Sequence, residues 1–360
     1  LYLCSQSKDI YGNLKTEFIA ITLGVLFGGM LLASANNMLT VYIGIETLSI
    51  LSYVLASFKR NDDRSAEAGL KYALYGGVSA ALMLFGMSHI YGLGYKISCV
   101  PFHMWTPDVY EGSPIPVTAL FALVPKIAGI VSVIRVSMIF FKVEGALQHG
   151  WVGLISVIAV LTMFVGNISA IEQRSFKRML AYSSIAHAGN MLLGVVVMNE
   201  VGAEAILFYG FVYIFMTLVA FYVGSFIVDT YGNDHFDRFA GLIKKHPVMA
   251  ICLTISMLSL AGLPPFSGFI AKFRILYVLV DKKCYTLAIL AGLNSVISLF
   301  YYLKVVRLMI FKDSENENKI EGFCSRNQVI IFALSVPILL LGVFWEQLVH
   351  LTTSSTLFVF

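Results

Sequence analysis

Apolar runs of bilayer length alternate with short polar breaks along most of this chain. Phe18–Ala35, Trp151–Ile171, Met179–Met198, Ala205–Val228, Pro247–Ala271, Cys284–Leu303 and Val329–Trp345 contain no Asp, Glu, Lys or Arg. Met38–Phe58, Ala68–Tyr95 and Ile115–Ile134 hold one each, namely Glu46, Lys71 and Lys126. About 20 apolar residues in a helix cross the ~30 Å hydrocarbon core. Backbone polar groups in lipid must bond internally, so each run is predicted to be a helix. The pattern predicts an all-α polytopic membrane protein with about ten full spans and a half. Lys59–Arg64 and Arg174–Arg178 read as basic turns, and Asp229–His246 and Lys312–Asn327 as longer polar loops. No linker separates domains, so residues 1–360 read as a single membrane domain.

Composition agrees. Only 13% of the 360 residues are charged and 58% are hydrophobic, against about 25% charged in soluble domains. A disordered chain, a collagen-like fibre and a secreted disulfide scaffold are excluded. The five cysteines are scattered, with no CxxC pair, so no zinc or iron–sulfur site is visible. There is no Walker A motif and no HExxH. Gly92-Leu93-Gly94 lacks the third glycine and the strand context of a dinucleotide loop. A net charge of +4 is too small to indicate a nucleic-acid partner.

The basic residues report topology instead. Lys59, Arg60, Arg64, Arg174, Lys177, Arg178, Arg238, Lys244, Lys245, Lys312, Lys319 and Arg326 fall in one set of loops, and only Lys142, Lys282 and Lys283 in the other. That bias requires an even number of crossings between Arg64 and Arg174. Residues 67–113 would have to supply two, and are too few for two full helices with a loop. The Tyr91-Gly92-Leu93-Gly94 junction is abrupt, so residues are expected to be missing there. The chain begins at Leu1, not Met, and is expected to lack its natural N-terminus.

An ionisable side chain at bilayer depth costs at least ~2.5–3.5 kcal/mol and is a functional hypothesis by default. Glu46 and Lys126 lie near the middle of their spans, Lys71 about two turns from a helix start. His187 sits inside an apolar helix and Lys272 follows a long uncharged run. The plain reading of a lysine near a span end is snorkelling to the headgroups, which suits Lys304 and Arg307 and leaves Lys71 open. A packing histidine is the plain reading of His187, and a structural ion pair that of Glu46 and Lys126. Two spans are interrupted by proline, one at Cys99-Val100-Pro101-Phe102-His103, the other at Gly262-Leu263-Pro264-Pro265-Phe266. Each break has a lysine nearby, Lys96 and Lys272. Paired broken helices in two halves point to repeats and an ion path; a packing kink is the alternative.

The string Tyr95-Lys96-Ile97-Ser98-Cys99-Val100-Pro101-Phe102-His103-Met104-Trp105-Thr106-Pro107-Asp108-Val109-Tyr110-Glu111-Gly112 resembles the hallmark of the subunit N family of respiratory NADH-quinone oxidoreductase, complex I. Ile45-Glu46-Thr47-Leu48-Ser49 and Glu67-Ala68-Gly69-Leu70-Lys71-Tyr72 resemble its glutamate helix and the next. Arg178–Gly189 and Gly262–Phe273 are similar as well, so the resemblance runs from about residue 18 to 345.

The resemblance implies an antiporter-like bundle of about fourteen helices with two inverted five-helix repeats. Here the repeats would cover about 18–141 and 151–311, with a C-terminal helix at about 328–349, and about three N-terminal helices would be missing. It implies a proton-translocating membrane-arm subunit, enzymatic only as part of the oxidoreductase. NADH, FMN, iron–sulfur clusters and quinone would be handled by other subunits, with no cofactor in this chain. Glu46 matches the family's switching glutamate, with Lys71 and Lys96 as partners. Lys126 matches the central relay lysine, His187 the relay histidine and Lys272 the terminal lysine, with His103 a further candidate. The implied partners are other membrane-arm subunits, the lipid bilayer, protons and water. The implied location is the bacterial inner (plasma) membrane, with the mitochondrial inner membrane or the thylakoid as alternatives. A cation/proton antiporter or membrane-bound hydrogenase subunit of the same fold is the alternative function, and a purely structural membrane spacer the rival of another class.

Overall fold

The computed structural model describes residues 15–35, 38–59, 62–84, 89–141, 145–197, 199–313 and 325–356. Arg60, Lys142 and Lys319 of the charge-bias argument lie outside them. No strand forms among the described residues. The chain divides into two compact units, Leu1–Phe140 and Phe141–Phe360.

The first unit holds α1 (Lys15–Ser34), α2 (Met38–Ala56), α3 (Asp63–Leu84), α4 (His89–Ile97), α5 (Trp105–Gly112) and α6 (Ile115–Phe141). Helices in lipid gain little from hydrophobicity, so close backbone approach through small residues holds them together. α1 and α2 do this reciprocally. A Cβ on Gly28 would lie 2.7 Å from the Leu48 nitrogen, and one on Gly44 would lie 2.8 Å from the Leu32 nitrogen. Polar pins add to this: Ser132 on α6 donates to the Leu32 carbonyl (3.1 Å) and Arg135 to that of Ala35 (2.8 Å). The run read as one span over Ala68–Tyr95 belongs to two helices, α3 and α4; residues 85–88 between them are outside the described set. α3 also starts earlier than the apolar run, at Asp63, whose carboxylate suits the positive end of the helix dipole.

The second unit holds α7 (Ala146–Ile171), α8 (Phe176–Val197), α9 (Glu200–Tyr231), a 3-10 turn (Phe236–Phe239), α10 (Leu242–Lys245), α11 (Pro247–Ala261), α12 (Ser267–Asp281), α13 (Tyr285–Phe311), α14 (Ser325–Val343) and α15 (Trp345–Thr356). α8 is enclosed almost along its whole length. α7 reaches it through Gly166 and Gly189, where a Cβ would lie 2.6 Å from the Ala186 nitrogen and 2.8 Å from the Met163 nitrogen. α13 is two-faced: Asn294, Ser298, Tyr301 and Tyr302 are buried, while Ile289, Leu293, Val296 and Phe300 point outward as a lipid-facing stripe suits. The single C-terminal helix expected at about 328–349 is two helices joined at Phe344. The new helix begins where the Trp345 ring settles 5.5 Å from the Arg274 guanidinium.

Both predicted breaks are present, one in each unit, and they share a local pattern. α4 ends at Ile97, Ser98 turns to φ 61°, and a cis peptide precedes Pro101. α11 ends at Ala261, Gly262 turns to φ 85°, and a cis peptide precedes Pro265. The Gly262 amide bonds back to Leu258 (3.1 Å) and Ser259 (2.9 Å), and the Leu263 amide to Leu258 (3.1 Å), a left-handed helix stop that glycine adopts without strain.

At one end of the second unit the basic loops meet. Asp234 accepts from the Ser175 hydroxyl (2.5 Å) and the Lys177 amide (2.8 Å). Lys312 pairs with Asp237 at 3.1 Å, and Lys244 pairs with Asp313. Lys244 holds the Asp313 carboxyl below the usual carboxylate range, chiefly by hydrogen bonding. Arg174, Lys177, Asp237, Lys244 and Lys312 therefore share one end of the unit, and Lys282 and Lys283 sit at the opposite end of α13. This is the arrangement the charge bias requires.

Candidate functional site

The site in the first unit is built around Lys96, in the last turn of α4. Its side chain is fully buried, and its ammonium has no hydrogen-bond partner among the described residues. Three rings surround it instead: Tyr53, Tyr72 and Tyr95, with centroids 5.8, 5.6 and 5.7 Å away. Ring faces attract a cation that water has left. This box is braced by Trp105, which stacks on Tyr72 (4.5 Å, 7°) and donates its indole N–H to the Tyr95 carbonyl (3.0 Å). Glu46 on α2 is half-buried, and its charge interacts with that of Lys96. Lys71 is placed differently from the sequence expectation that joined it to Glu46: it pairs with Glu67 at 2.8 Å and Asp108 at 3.2 Å and is partly exposed. The reason is helical spacing: Glu67 lies one turn away on α3, and α5 carries Asp108 alongside. Lys126, beside Pro125 inside α6, is fully buried and lies 5.9 Å from the Tyr110 ring. His103 is half-buried within the break.

In the second unit His187 is buried on α8 and bonded on both ring nitrogens. Nδ1 meets the Tyr209 hydroxyl at 2.7 Å and Nε2 the Tyr302 hydroxyl at 3.0 Å. A neutral imidazole has one donor and one acceptor nitrogen, so a proton arriving at one side can leave from the other. Tyr302 also bonds Ser183. Alongside, Tyr301 donates to Asn167 (2.8 Å), whose amide donates to Asn294 Oδ1 (3.0 Å).

Lys272 shows what the helix break supplies. Its ammonium donates to the Ala261 carbonyl at 2.8 Å and reaches the Ser298 hydroxyl at 3.4 Å. Ala261 is the last residue of α11, and Gly262 ends that helix, so this carbonyl has no intrahelical partner and sits at the negative end of the dipole. Gly262 is needed twice, because a Cβ there would also lie 2.7 Å from Lys272 Cδ. Ser298 is one helical turn from both Asn294 and Tyr302 on the buried stripe of α13. α13 thus carries the two ends of a polar track, Tyr302 at His187 and Ser298 at Lys272, one helical turn apart.

The sequence reading named His187 and Lys272 but missed Tyr209, Tyr301, Tyr302, Ser183, Asn167, Asn294 and Ser298. Hydroxyls and amides are common in apolar helices, so no single one signals a track. Their four-residue spacing on α13 is the signal that was available. It also missed a buried ion pair between Arg274 of α12 and Glu204 of α9, with side chains 15% and 9% exposed. Phe208 and Trp345 flank the guanidinium at 5.6 and 5.5 Å, and Thr352 donates to Glu204 at 3.4 Å.

A family model described as NADH:quinone oxidoreductase/Mrp antiporter, transmembrane, matches residues 35–94 and 90–298. Its two stretches meet at the junction near Gly92 where residues were expected to be missing. Subunit N of the NADH-quinone oxidoreductase of Anaeromyxobacter sp. is 34% identical over 413 residues, covering 98% of this chain and 80% of the relative. That alignment is longer than the chain's 360 residues, so the relative carries internal residues that this chain lacks. Subunit N 2 of Sorangium cellulosum is 39% identical over 382 residues, covering 93% of this chain and 74% of the relative. A chain of respiratory complex I from Thermus thermophilus superposes with a TM-score of 0.81 at 30% identity, covering 93% of this chain and 79% of that one. The fold, the two broken helices with their lysines and these matches lead to one conclusion: the chain belongs to the NADH:quinone oxidoreductase/Mrp antiporter transmembrane family.

Proposed function

We propose that this chain is the proton-translocating, antiporter-like membrane subunit of an NADH-quinone oxidoreductase, and that it moves protons through its buried charges. The observation that carries this reading is Lys272, buried against the free carbonyl of a broken helix at one end of a hydroxyl track that leads to His187. In the first unit Glu46 biases Lys96, while Lys71 is held by Glu67 and Asp108. Lys126 is the central relay lysine, and His103 is a further proton carrier at the break. His187, Tyr302 and Ser298 pass protons to Lys272. NADH, FMN, iron–sulfur clusters and quinone belong to other subunits of the complex. The neighbours of this chain are other membrane-arm subunits, in the inner membrane of a bacterium. Its matches to subunit N relatives along nearly the whole chain favour this reading over a separate cation/proton antiporter.

The test is NADH-driven proton uptake into inverted vesicles, normalised to assembled complex. Lys272→Ala is expected to lower uptake, whereas Lys304→Gln, on the exposed face of α13, leaves it unchanged. Purified alone, the chain is expected to oxidise no NADH. Uptake at the parental ratio in Lys272→Ala would reject the role of Lys272, and sodium-driven proton exchange by the isolated chain would favour the antiporter reading.

Sidedness is tested separately. The basic end of the second unit is expected to face the cytoplasm. A cysteine at Asn233 should resist an impermeant thiol reagent in intact cells and react in inverted vesicles. Labelling from outside would reverse the assignment. The equivalent probe in the first unit, Asn61, lies outside the described residues.

A further inference from the structure

A cavity of the second unit is lined by none of the residues of the proton track. It measures about 1530 Å³ and lies between the end of α13, the turn after α7 and the loop after α9. Its two halves differ in chemistry. Val296, Leu299, Phe300 and Leu303 make one half apolar, and Arg174, Lys304, Arg307 and Lys312 make the other half cationic. Asp237 is the only acidic lining residue and is paired with Lys312 at 3.1 Å. Lys304 is held by the Gln173 carbonyl (3.2 Å) and lies 4.8 Å from the Phe236 ring. Arg174 and Arg307 are exposed, and neither is engaged by an acidic side chain among the described residues.

We infer that this groove binds an anionic phospholipid of the membrane leaflet on the basic side. Arg174 and Arg307 grip the phosphodiester, and the acyl chains run along Val296, Phe300 and Leu303. Three observations carry this beyond generic contact with lipid. The cationic residues lie at the end of α13, where a spanning helix meets the headgroups, while the apolar lining continues along the helix towards its middle. A guanidinium matches a phosphate with two parallel hydrogen bonds, so two free arginines form a receptor and not merely a positive rim. The cavity, at about 1530 Å³, also exceeds the roughly 300–1,000 Å³ of ordinary small-molecule pockets. Basic pockets between helices on the cytoplasmic side are known to take anionic headgroups.

The test uses the full chain, purified in detergent and stripped of lipid, then offered phosphatidylglycerol or phosphatidylcholine in mixed micelles. Native mass spectrometry is expected to find one phosphatidylglycerol retained in preference to phosphatidylcholine. Each arginine near such a headgroup contributes about 1 kcal/mol, so the double variant R174Q/R307Q should bind about thirtyfold more weakly. The control K282Q/K283Q, at the opposite end of α13, should bind as the parent does. Equal retention by R174Q/R307Q, equal retention of phosphatidylcholine, or displacement by inorganic phosphate would each overturn the inference. So would a short crosslink from Phe300→Cys to another subunit in the assembled complex, because protein would then cover the groove.

Discussion

Glu46→Gln and Lys126→Ala are each expected to slow the proton movement contributed by this chain by on the order of tenfold, with the complex still assembled. Desolvation penalises a charged amine and a nearby carboxylate favours it, so the balance between the two decides whether a buried lysine holds its proton. Unit charges about 7 Å apart at an effective dielectric of about 20 interact by roughly 2.4 kcal/mol, more than tenfold in an equilibrium. Three aromatic rings flank the Lys96 ammonium, which makes no hydrogen bond among the described residues. The carboxylate of Glu46 is therefore the main lever on Lys96, and Glu46→Asp should be milder than Glu46→Gln. Lys126 is enclosed on all sides, and alanine there removes the only amine of α6. The readout is protons taken up per electron in inverted vesicles. If both neutral variants pump at the parental ratio, these residues are structural and the rival reading of a membrane spacer gains.

The second large effect concerns stability. Arg274→Met should destabilise the second unit by about 3–5 kcal/mol, because it strands the Glu204 carboxylate in a dry site. The loss should appear as a lower Tm of the purified chain, followed by dye binding to its buried cysteines Cys252 and Cys99. Glu204→Leu combined with Arg274→Met removes both charges and should recover most of the loss, since a buried pair is often replaceable by apolar residues of similar volume. A double variant as unstable as the single one would mean that the arginine acts through Phe208 and Trp345, not through Glu204. Proton uptake by the double variant is expected to stay near the parental level, which separates this pair from Lys272 two residues earlier on α12.

Much of the architecture was legible from the chain itself. Runs without charge define spans because lipid offers no partner for backbone groups, and that constraint acts locally. Glu46, Lys126 and Lys272 were visible for the same reason, since a charge in an apolar run is costly wherever the run packs. The breaks at Pro101 and Pro264-Pro265 were visible because proline cannot continue a helix, whatever its neighbours are. What tertiary structure decided was partnership. Lys71 turned to Glu67 and Asp108, which needs α5 beside α3. Tyr302 became part of the track only because α13 presents it to His187, 115 residues earlier in the chain. Arg274 and Glu204, 70 residues apart, form a pair only through the packing of α12 on α9. Depth in a membrane is written in local hydropathy, whereas hydrogen bonds and ion pairs between helices depend on which faces meet, and that is settled by the close fit of glycines and side chains across the whole unit.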